Sequence, residues 1–237
     1  MLSVICPIYN EEKYIAQCIE SLLLQDYPQN DLEILFVDGM STDKTRRLLQ
    51  RTKLNNLIGG IITLCYVSRV EKPKGLDTLK KMSMLLSENG LDKYIKVDFY
   101  GQKTDTYFDE YLNDIEIYLY KGVLQPNEVI PTLKKYDALI FPTHYEGEGC
   151  PGILVEALSA SLPIIASDWK YNNEFVTNGD NGFLCDPFNA NEYIEAIKVL
   201  LSNRTLRKRM AEQSYIRSEE FSASNARMLL HEYMNIN

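Results

Sequence analysis

Two basic side chains, Arg69 and Lys74, stand in one short polar segment that follows an apolar stretch ending near Val67. A guanidinium is a permanently charged fork of donors and an ammonium is a compact point charge, so the two together suit the oxygens of linked phosphates. Such a pair would stabilise the negative charge that grows on a departing diphosphate. Lys72, which lies between them, is interpreted as part of a solvated turn.

A second segment contains the predicted start of a helix. Pro151 suits the first position of that helix, and the backbone amides of Gly152, Ile153 and Leu154 follow it. The first amides of a helix have no partner within the helix, and the helix dipole adds partial positive charge at the same end. We therefore expect these three amides to form an anion site that could receive a phosphate.

Two carboxylates, Glu148 and Glu156, flank this predicted helix start. The first stands in the loop and the second stands on the helix, so both could face one cleft and accept hydrogen bonds from paired hydroxyls. An acidic chain produces such a pair easily by chance, and their setting between a strand and a helix is what favours a functional interpretation. Glu146 is interpreted as loop structure.

The same loop also spells Gly-x-Gly-x-x-Gly from Gly147 to Gly152, with Asp168 beyond the next predicted strand. This pattern is typical of nicotinamide dinucleotide sites, which are the alternative prediction. That fingerprint normally begins directly at the end of its strand, whereas residues 143–146 intervene here and Pro151 occupies the turn. We therefore interpret the spelling as accidental.

The elements around these residues alternate between strands and helices. The first 55 residues predict a β-α-β-α unit, with strands over 4–8 and 32–37, a helix opened by Asn10, and a second helix capped at residues 41–43. The rest predicts strands over 57–68, 94–99, 115–119, 138–141 and 163–166, and helices over 74–86, 190–202, 205–219 and 224–235. Such alternation predicts an α/β fold with a Rossmann-like parallel sheet, and ligands bind at the carboxyl ends of its strands. We predict two domains, residues 1–56 and 57–237.

The composition of the chain indicates which partners it could bind and where in the cell it would be found. The net charge of -8 disfavours nucleic acid, because an acidic surface repels phosphate backbones. No apolar run is long enough to span a bilayer and no secretory leader is evident, so we predict a cytoplasmic location. A basic cluster on a late helix could contact the inner face of the membrane, and a solvated helix face is the alternative. Its members are Arg204, Arg207, Lys208 and Arg209.

No metal site is predicted. The chain contains no Asp-x-Asp, the carboxylate pair that many metal-dependent sugar transferases use to hold a divalent cation on the diphosphate. Its five cysteines show no Cys-x-x-Cys spacing, which disfavours a zinc site. We therefore expect neither a metal nor another cofactor.

The motifs from about residue 60 onward closely resemble the C-terminal donor domain of family 4 (group 1) GT-B glycosyltransferases. The matching segments are Val67-Ser68-Arg69, Lys74-Gly75, Tyr136-Asp137-Ala138, Pro142, Glu148-Gly149-Cys150-Pro151, Glu156-Ala157 and Gly182-Phe183-Leu184. The resemblance implies transfer of a sugar from a nucleotide-sugar donor to a glycan or lipid-linked acceptor, with retention of anomeric configuration.

The resemblance also implies a role for each matching residue. Arg69 and Lys74 would bind the donor diphosphate, Glu156 would bind the ribose, and Glu148 would contact the donor sugar. The loop at Gly122 and Val123 would border the nucleobase. Because retaining transfer by front-side attack needs no enzymic base, His144 would have a structural or donor-contact role.

The first 50 residues resemble the start of a family 2 GT-A glycosyltransferase, through residues 3–12 and 37–43. In that family the matching Pro-x-Tyr-Asn-Glu segment and the aspartate at Asp38 line the nucleotide site. The metal-binding Asp-x-Asp and the catalytic-base segment of that family do not follow here. The chain thus resembles a GT-A fragment joined to a GT-B half. We predict a glycosyltransferase, and the alternative is a non-catalytic nucleotide-sugar-binding module that lacks an acceptor domain.

Overall fold

The computed structural model of the protein describes residues 2–23, 32–49 and 61–235. The chain divides into two compact units, Met1–Gly59 and Gly60–Asn237. The predicted domain boundary between residues 56 and 57 lies slightly before this division, outside the described residues.

The described part of the N-terminal unit has the β-α-β-α order that the sequence predicts. Its strands β1 (Leu2–Ile8) and β2 (Leu32–Asp38) pair in parallel, the helix α1 (Ile15–Leu23) lies between them in the chain, and residues 45–49 are helical. A small core holds the unit together through Ile8, Ile15 and Ile19, against which Phe36, Leu48 and Leu49 pack. Cys18, which the helical spacing places with these apolar residues, is exposed.

The C-terminal unit repeats strand and helix along the chain, as predicted. Within residues 61–235 its strands are β3 (Ile62–Val67), β4 (Ile95–Tyr100), β5 (Tyr118–Gly122), β6 (Ala138–Phe141), β7 (Ile164–Ser167) and β8 (Gly182–Cys185). Its helices are α2 (Leu76–Glu88), α3 (Tyr107–Tyr111), α4 (Val129–Leu133), α5 (Gly152–Ser159), α6 (Ala190–Ser202), α7 (Arg204–Ser218) and α8 (Ala223–Asn235).

These six strands of the described C-terminal unit form one parallel sheet in the order β5-β4-β3-β6-β7-β8. The chain builds outward from β3 to β5 on one side and from β6 to β8 on the other. The direction of winding therefore reverses between β3 and β6. In open α/β sheets, this reversal opens a crevice at the carboxyl ends of the two strands.

Burial explains why β6 and β7 stand near the middle of the sheet. All residues of both strands are buried, which is typical of parallel strands covered on both faces. Helix α5 contributes Leu154, Ala157 and Leu158 to the same core, together with Cys65 of β3. The helix that follows the β6 loop is thus fixed to the sheet by its apolar side.

The structure corrects several predicted elements. The strand predicted over 115–119 is β5, which begins at Tyr118, because Ile115 accepts the Tyr118 amide in a turn before the strand. The helix predicted over 74–86 begins at Leu76, after a 3-10 turn over Lys72–Lys74. Strand β8 was not predicted. Residues 57–60 of the strand predicted over 57–68 lie outside the described residues, and β3 accounts for the rest.

Two backbones come into direct contact beside the crevice. Gly75 has φ +90°, and a Cβ built on it would lie 2.2 Å from the carbonyl oxygen of Pro142. The amide of His144 donates to the carbonyl of Pro73 at 3.0 Å. The loop that follows β3 therefore packs directly on the loop that follows β6, and only glycine fits at residue 75.

Replacing Gly75 by alanine should destabilise the C-terminal unit more than replacing Gly90. Gly90 also has a positive φ, +64°, but a Cβ there meets no atom within 4 Å. Gly90→Ala should cost about 1 kcal/mol through left-handed strain. Gly75→Ala should cost roughly 1–3 kcal/mol more, because the Pro142 backbone must also move. Urea unfolding measures both losses, and equal losses would contradict the importance of this backbone contact.

Candidate functional site

The loop that follows β3 is held by a buried tyrosine. The hydroxyl of Tyr66 donates to the carbonyl of Arg69 at 2.8 Å and lies 3.4 Å from the carbonyl of Lys74. The amide of Val70 donates to the carbonyl of Gln102, in the loop after β4. The backbone that carries the two predicted phosphate-binding cations is therefore fixed at both positions.

The charged groups of Lys74 and Glu148 meet in the crevice. The Nζ of Lys74 lies 2.6 Å from Oε2 of Glu148, and the two side chains are only 7% and 10% exposed. The hydroxyl of Thr143 donates to the same oxygen at 2.7 Å. The sequence placed these two charges on separate loops, and the structure joins them in one nearly buried ion pair.

Arg69 is more accessible than Lys74. Its side chain is 48% exposed and its Nη2 lies 3.0 Å from Oε1 of Glu71. Hydrogen bonding to Tyr145, together with the nearby charge of Glu71, raises the pKa of the Arg69 guanidinium. Arg69 therefore presents a permanent positive charge to solvent at the mouth of the crevice.

An aromatic ring that sequence reasoning missed lies against both cations. The ring centroid of Tyr145 is 5.0 Å from Cζ of Arg69 and 4.5 Å from Nζ of Lys74. Both distances are within the range in which a cation is attracted to an aromatic face. The sequence does show an aromatic residue in the loop that contains Glu148. Only the fold, however, determines that its ring points toward the two cations.

The end of β7 supports the loop that carries Tyr145. The buried hydroxyl of Ser167 donates to the carbonyl of Thr143 at 2.6 Å, and the indole N–H of Trp169 donates to the carbonyl of Tyr145 at 2.9 Å. The side-chain amide of Asn172 in turn donates to the carbonyl of Ser167. The ends of β3, β6 and β7 thus together fix the geometry of the site.

The start of helix α5 differs in two respects from the prediction. Pro151, predicted at the first helical position, precedes the first helical residue, Gly152, and no side chain caps this end. The amide of Leu154 donates to the carbonyl of Pro151 at 3.0 Å, so the prediction that Leu154 offers an unpaired amide is wrong. Anion binding by Gly152 and Ile153 stays a prediction. A Cβ built on Gly152 would meet no atom within 4 Å, so the space beside the helix start is open.

Glu156 lies on α5 and is partly buried. Burial disfavours its charged form and raises the pKa of its carboxyl group. Among the described residues its carboxylate has no hydrogen-bond or ion-pair partner. The group is therefore available to a ligand, and its contact with ribose stays a prediction.

The two other polar residues of the loop, His144 and Glu146, have separate surroundings. Glu146 is exposed and pairs with Lys170 at 2.8 Å, in agreement with its interpretation as loop structure. Nδ1 of His144 lies 4.0 Å from Oδ1 of Asp77, and its ring centroid lies 5.2 Å from that of Phe188. Nδ1 of His144 and Oδ1 of Asp77 are both buried, and neither atom has a hydrogen-bond partner among the described residues.

The predicted nucleobase loop begins at the end of β5, on the same edge of the sheet. Gly122 has φ +90° and its carbonyl accepts the amide of Gly101 at 2.9 Å. Val123 is 59% exposed. Strand β4 separates this loop from the loop after β3, and a contact with a nucleobase stays a prediction.

In the N-terminal unit the two motif segments bind each other. The side chain of Asn10 accepts the amide of Thr42 at 2.8 Å, and the hydroxyl of Ser41 accepts the amide of Asn10 at 2.9 Å. Asp38 accepts hydrogen bonds from Ser41 and Arg46, and these lower the pKa of its carboxyl group to about 2. These contacts give Asn10, Asp38, Ser41 and Thr42 partners within the unit, and a nucleotide contact of the two segments stays a prediction.

The predictions of a metal-free site and of a possible membrane contact can be compared with all the described residues. In residues 2–23, 32–49 and 61–235, no cluster of three His, Cys, Asp or Glu side chains could hold a metal ion. The helices of the same residues are each too short or too polar to cross a bilayer. In the basic cluster, Arg207 and Arg209 donate to the backbone carbonyls of Leu200 and Gly179. A metal-free site and a peripheral membrane contact stay predictions.

Removing the charge of Lys74 should destabilise the protein as well as the site. Lys74→Met leaves the carboxylate of Glu148 nearly buried without its cation, which typically costs about 3 kcal/mol. The double variant Lys74→Met/Glu148→Gln removes both charges and should recover most of that loss. Chemical unfolding at neutral pH measures both free energies. Equal losses in the single and double variants would show that the unpaired carboxylate of Glu148 is not the source of the loss.

Comparisons with known proteins agree with the architecture. The profile of the family "Glycosyl transferases group 1" matches residues 51–217, and that of "Glycosyl transferase family 2" matches residues 3–64. An uncharacterized glycosyltransferase of Methanocaldococcus jannaschii is 26% identical over 199 residues, which cover 82% of this chain and 50% of that protein.

Two solved structures share the fold. A mutant of Staphylococcus aureus TarM, in complex with fondaparinux, alpha-GlcNAc-glycerol and UDP, superposes with a TM-score of 0.61 at 18% identity. Anabaena Alr3699/HepE in complex with UDP superposes with a TM-score of 0.63 at 15% identity. The matches cover 97% and 99% of this chain but 43% and 64% of those proteins. The chain therefore spans about half the length of the proteins that it resembles.

The group 1 profile covers well over half of the chain, including both loops that meet in the crevice. The six-stranded parallel sheet has the topology expected of a Rossmann-like domain. The chain therefore belongs to the group 1 glycosyl transferases.

Proposed function

We propose that this chain binds a nucleotide-sugar donor and transfers its sugar, with retention of configuration, to a glycan or lipid-linked acceptor. The proposal rests on one observation: Lys74 and Glu148 form an ion pair at the point where the winding of the sheet reverses. Arg69 and the open start of α5 lie on the same two loops. A diphosphate bound there would touch groups from both halves of the sheet.

The diphosphate would rest between the two cations and the helix start. The Arg69 side chain is half exposed and its guanidinium has several N–H donors, so it can keep Glu71, whose side chain is only 12% exposed, and still donate to a phosphate. Lys74 has three N–H donors, so it can keep Glu148 and still donate to a phosphate oxygen. The amides of Gly152 and Ile153 would add the partial positive charge of the helix.

Glu148 could bind the donor sugar without leaving Lys74. Its Oε2 accepts hydrogen bonds from both Lys74 and Thr143. Among the described residues its Oε1 has no hydrogen-bond partner, and that oxygen could accept from a sugar hydroxyl. The carboxylate of Glu148 would therefore contact both the sugar and Lys74, the cation that binds the diphosphate.

In the proposed reaction the bond between the anomeric carbon and the diphosphate oxygen breaks. The acceptor hydroxyl forms its bond to that carbon on the same face, and its proton passes to the departing diphosphate. The negative charge that develops on the leaving group is the charge that Arg69 and Lys74 would stabilise. Glu156 would hold the ribose, and residues 122–123 would lie near the base.

The identity of the nucleotide is best tested first with UDP. Both TarM and Alr3699/HepE were solved with UDP, and TarM also with alpha-GlcNAc-glycerol. UDP binding by this chain is supported by that likeness of fold, and GDP, ADP and CDP serve as comparison ligands.

Arg69→Ala should weaken the binding of the preferred nucleoside diphosphate by about 1.5–3 kcal/mol, because a charge-assisted hydrogen bond is lost. Lys72→Ala is a matched control, since Lys72 carries the same charge on the same loop and is exposed. Isothermal titration calorimetry measures both affinities. Equal affinity of the wild type and Arg69→Ala would refute the diphosphate site.

An assay of donor turnover distinguishes catalysis from binding alone. Hydrolysis of a UDP-sugar, or its transfer to a glycan acceptor, would support the transferase. Tight binding without hydrolysis or transfer would instead favour a nucleotide-sugar-binding module. This second candidate function is considered because the chain spans only about half the length of its relatives.

The affinity for a nucleoside should fall as the pH falls through the raised pKa of Glu156. A carboxylate accepts ribose hydroxyls better when it is ionised, so binding favours the charged form and lowers that pKa. Below the raised pKa, protonation opposes binding, and above it the affinity should be constant. Titrations of uridine across acidic pH measure the effect. Glu156→Gln should abolish the pH dependence, and a slope that survives in this variant would exclude Glu156 as its source.

A further inference from the structure

The ring of Tyr145 is shared by the two cations of the proposed diphosphate site. Cζ of Arg69 lies 5.0 Å from the ring centroid and Nζ of Lys74 lies 4.5 Å from it. The two positive groups therefore stand no farther apart than the sum of these distances. Each also has its own acid, Glu71 for Arg69 and Glu148 for Lys74.

The backbone of Tyr145 is fixed by two hydrogen bonds, and the chain packs closely against its ring. The amide of Tyr145 donates to the hydroxyl of Thr143 at 3.2 Å, and its carbonyl accepts the indole N–H of Trp169 at 2.9 Å. A Cβ built on Gly147 would lie 2.7 Å from Cε1 of the ring. The chain therefore folds closely over the ring at Gly147, and any side chain there would displace it.

Two like charges on neighbouring side chains repel each other and tend to separate when no anion is bound. An aromatic face attracts each of them and limits the conformations that they sample. Side chains that are already placed lose less entropy when a ligand binds. We infer that Tyr145 is a positioning residue that holds Arg69 and Lys74 ready for the two phosphates of the donor. This inference rests on the proposed function.

The simpler alternative is that Tyr145 only fills space in the loop. In that case its loss would weaken every ligand of the site, or the fold itself, to a similar extent. A positioning role has a narrower signature, because only ligands that carry the diphosphate gain from prearranged cations. The ratio of the affinities for UDP and uridine separates the two explanations.

The test compares Tyr145→Leu, Tyr145→Phe and Gly147→Ala with the wild type by calorimetric titration of UDP and uridine. Tyr145→Leu removes the aromatic face and should weaken UDP binding about tenfold, as two side chains must then be ordered, and leave uridine unchanged. Tyr145→Phe keeps the ring but removes the hydroxyl that hydrogen-bonds to Arg69, so its UDP affinity should lie between those of Tyr145→Leu and the wild type. Gly147→Ala should lower the UDP affinity in the same direction, because the new methyl group displaces the ring.

Tyr111→Leu is the matched control. Its ring lies 4.1 Å from Nζ of Lys80, so this variant removes a similar cation contact from the same unit. It should leave the affinities for both ligands unchanged. Wild-type UDP affinity in Tyr145→Leu, or an equal loss of UDP and uridine, would overturn the inference while the loss in Arg69→Ala still supported the proposed function. Failure of the wild type to bind any nucleoside diphosphate would instead refute the proposed function.

Discussion

The contact between Gly75 and Pro142 is the constraint on which the site depends. Strands β3 and β6 are neighbours in a parallel sheet, so their following loops leave the same edge side by side. A side chain at residue 75 would strike the Pro142 carbonyl, and glycine lets the two backbones meet. Lys74 immediately precedes this contact, and Glu148 follows shortly after it on the other loop. Their ion pair is therefore a consequence of how closely the loops approach.

The site divides its positive charge between a buried cation and an exposed one. Lys74 gives up most of its hydration, and the carboxylate of Glu148 and the ring of Tyr145 offset that loss. Arg69 keeps much of its hydration, although its partner Glu71 is only 12% exposed. We expect the buried charge to contribute to folding, whereas the exposed guanidinium has N–H donors left for a ligand. Substitutions of the two residues should therefore have different consequences for stability.

The sequence predicted the elements and the residues at their ends better than the directions of side chains. Strand β6 and helix α6 match their predicted bounds, because a short buried run and an amphipathic period leave little ambiguity. Strand β8 was missed, since it begins with glycine and is short. The apolar residues before β5 were predicted to belong to the strand, because apolar residues of a turn and of a strand cannot be distinguished by their types alone. The direction of the Tyr145 ring depends on tertiary geometry, which no local pattern encodes, whereas the amide of Leu154 is bonded locally, to the carbonyl of Pro151 three residues earlier.

The nearly buried ion pair also constrains how a donor could bind. If Lys74 exchanged Glu148 for a phosphate, the carboxylate would stay in the crevice without a cation, at a cost of several kcal/mol. Addition of the phosphate to the existing pair avoids this cost, because the ammonium has donors to spare and Glu148 keeps both of its contacts through Oε2. The diphosphate and the sugar would then be held through one connected set of hydrogen bonds. A change in the position of the leaving group would then directly affect the carboxylate that we propose to orient the sugar, and a transferase requires such coupling.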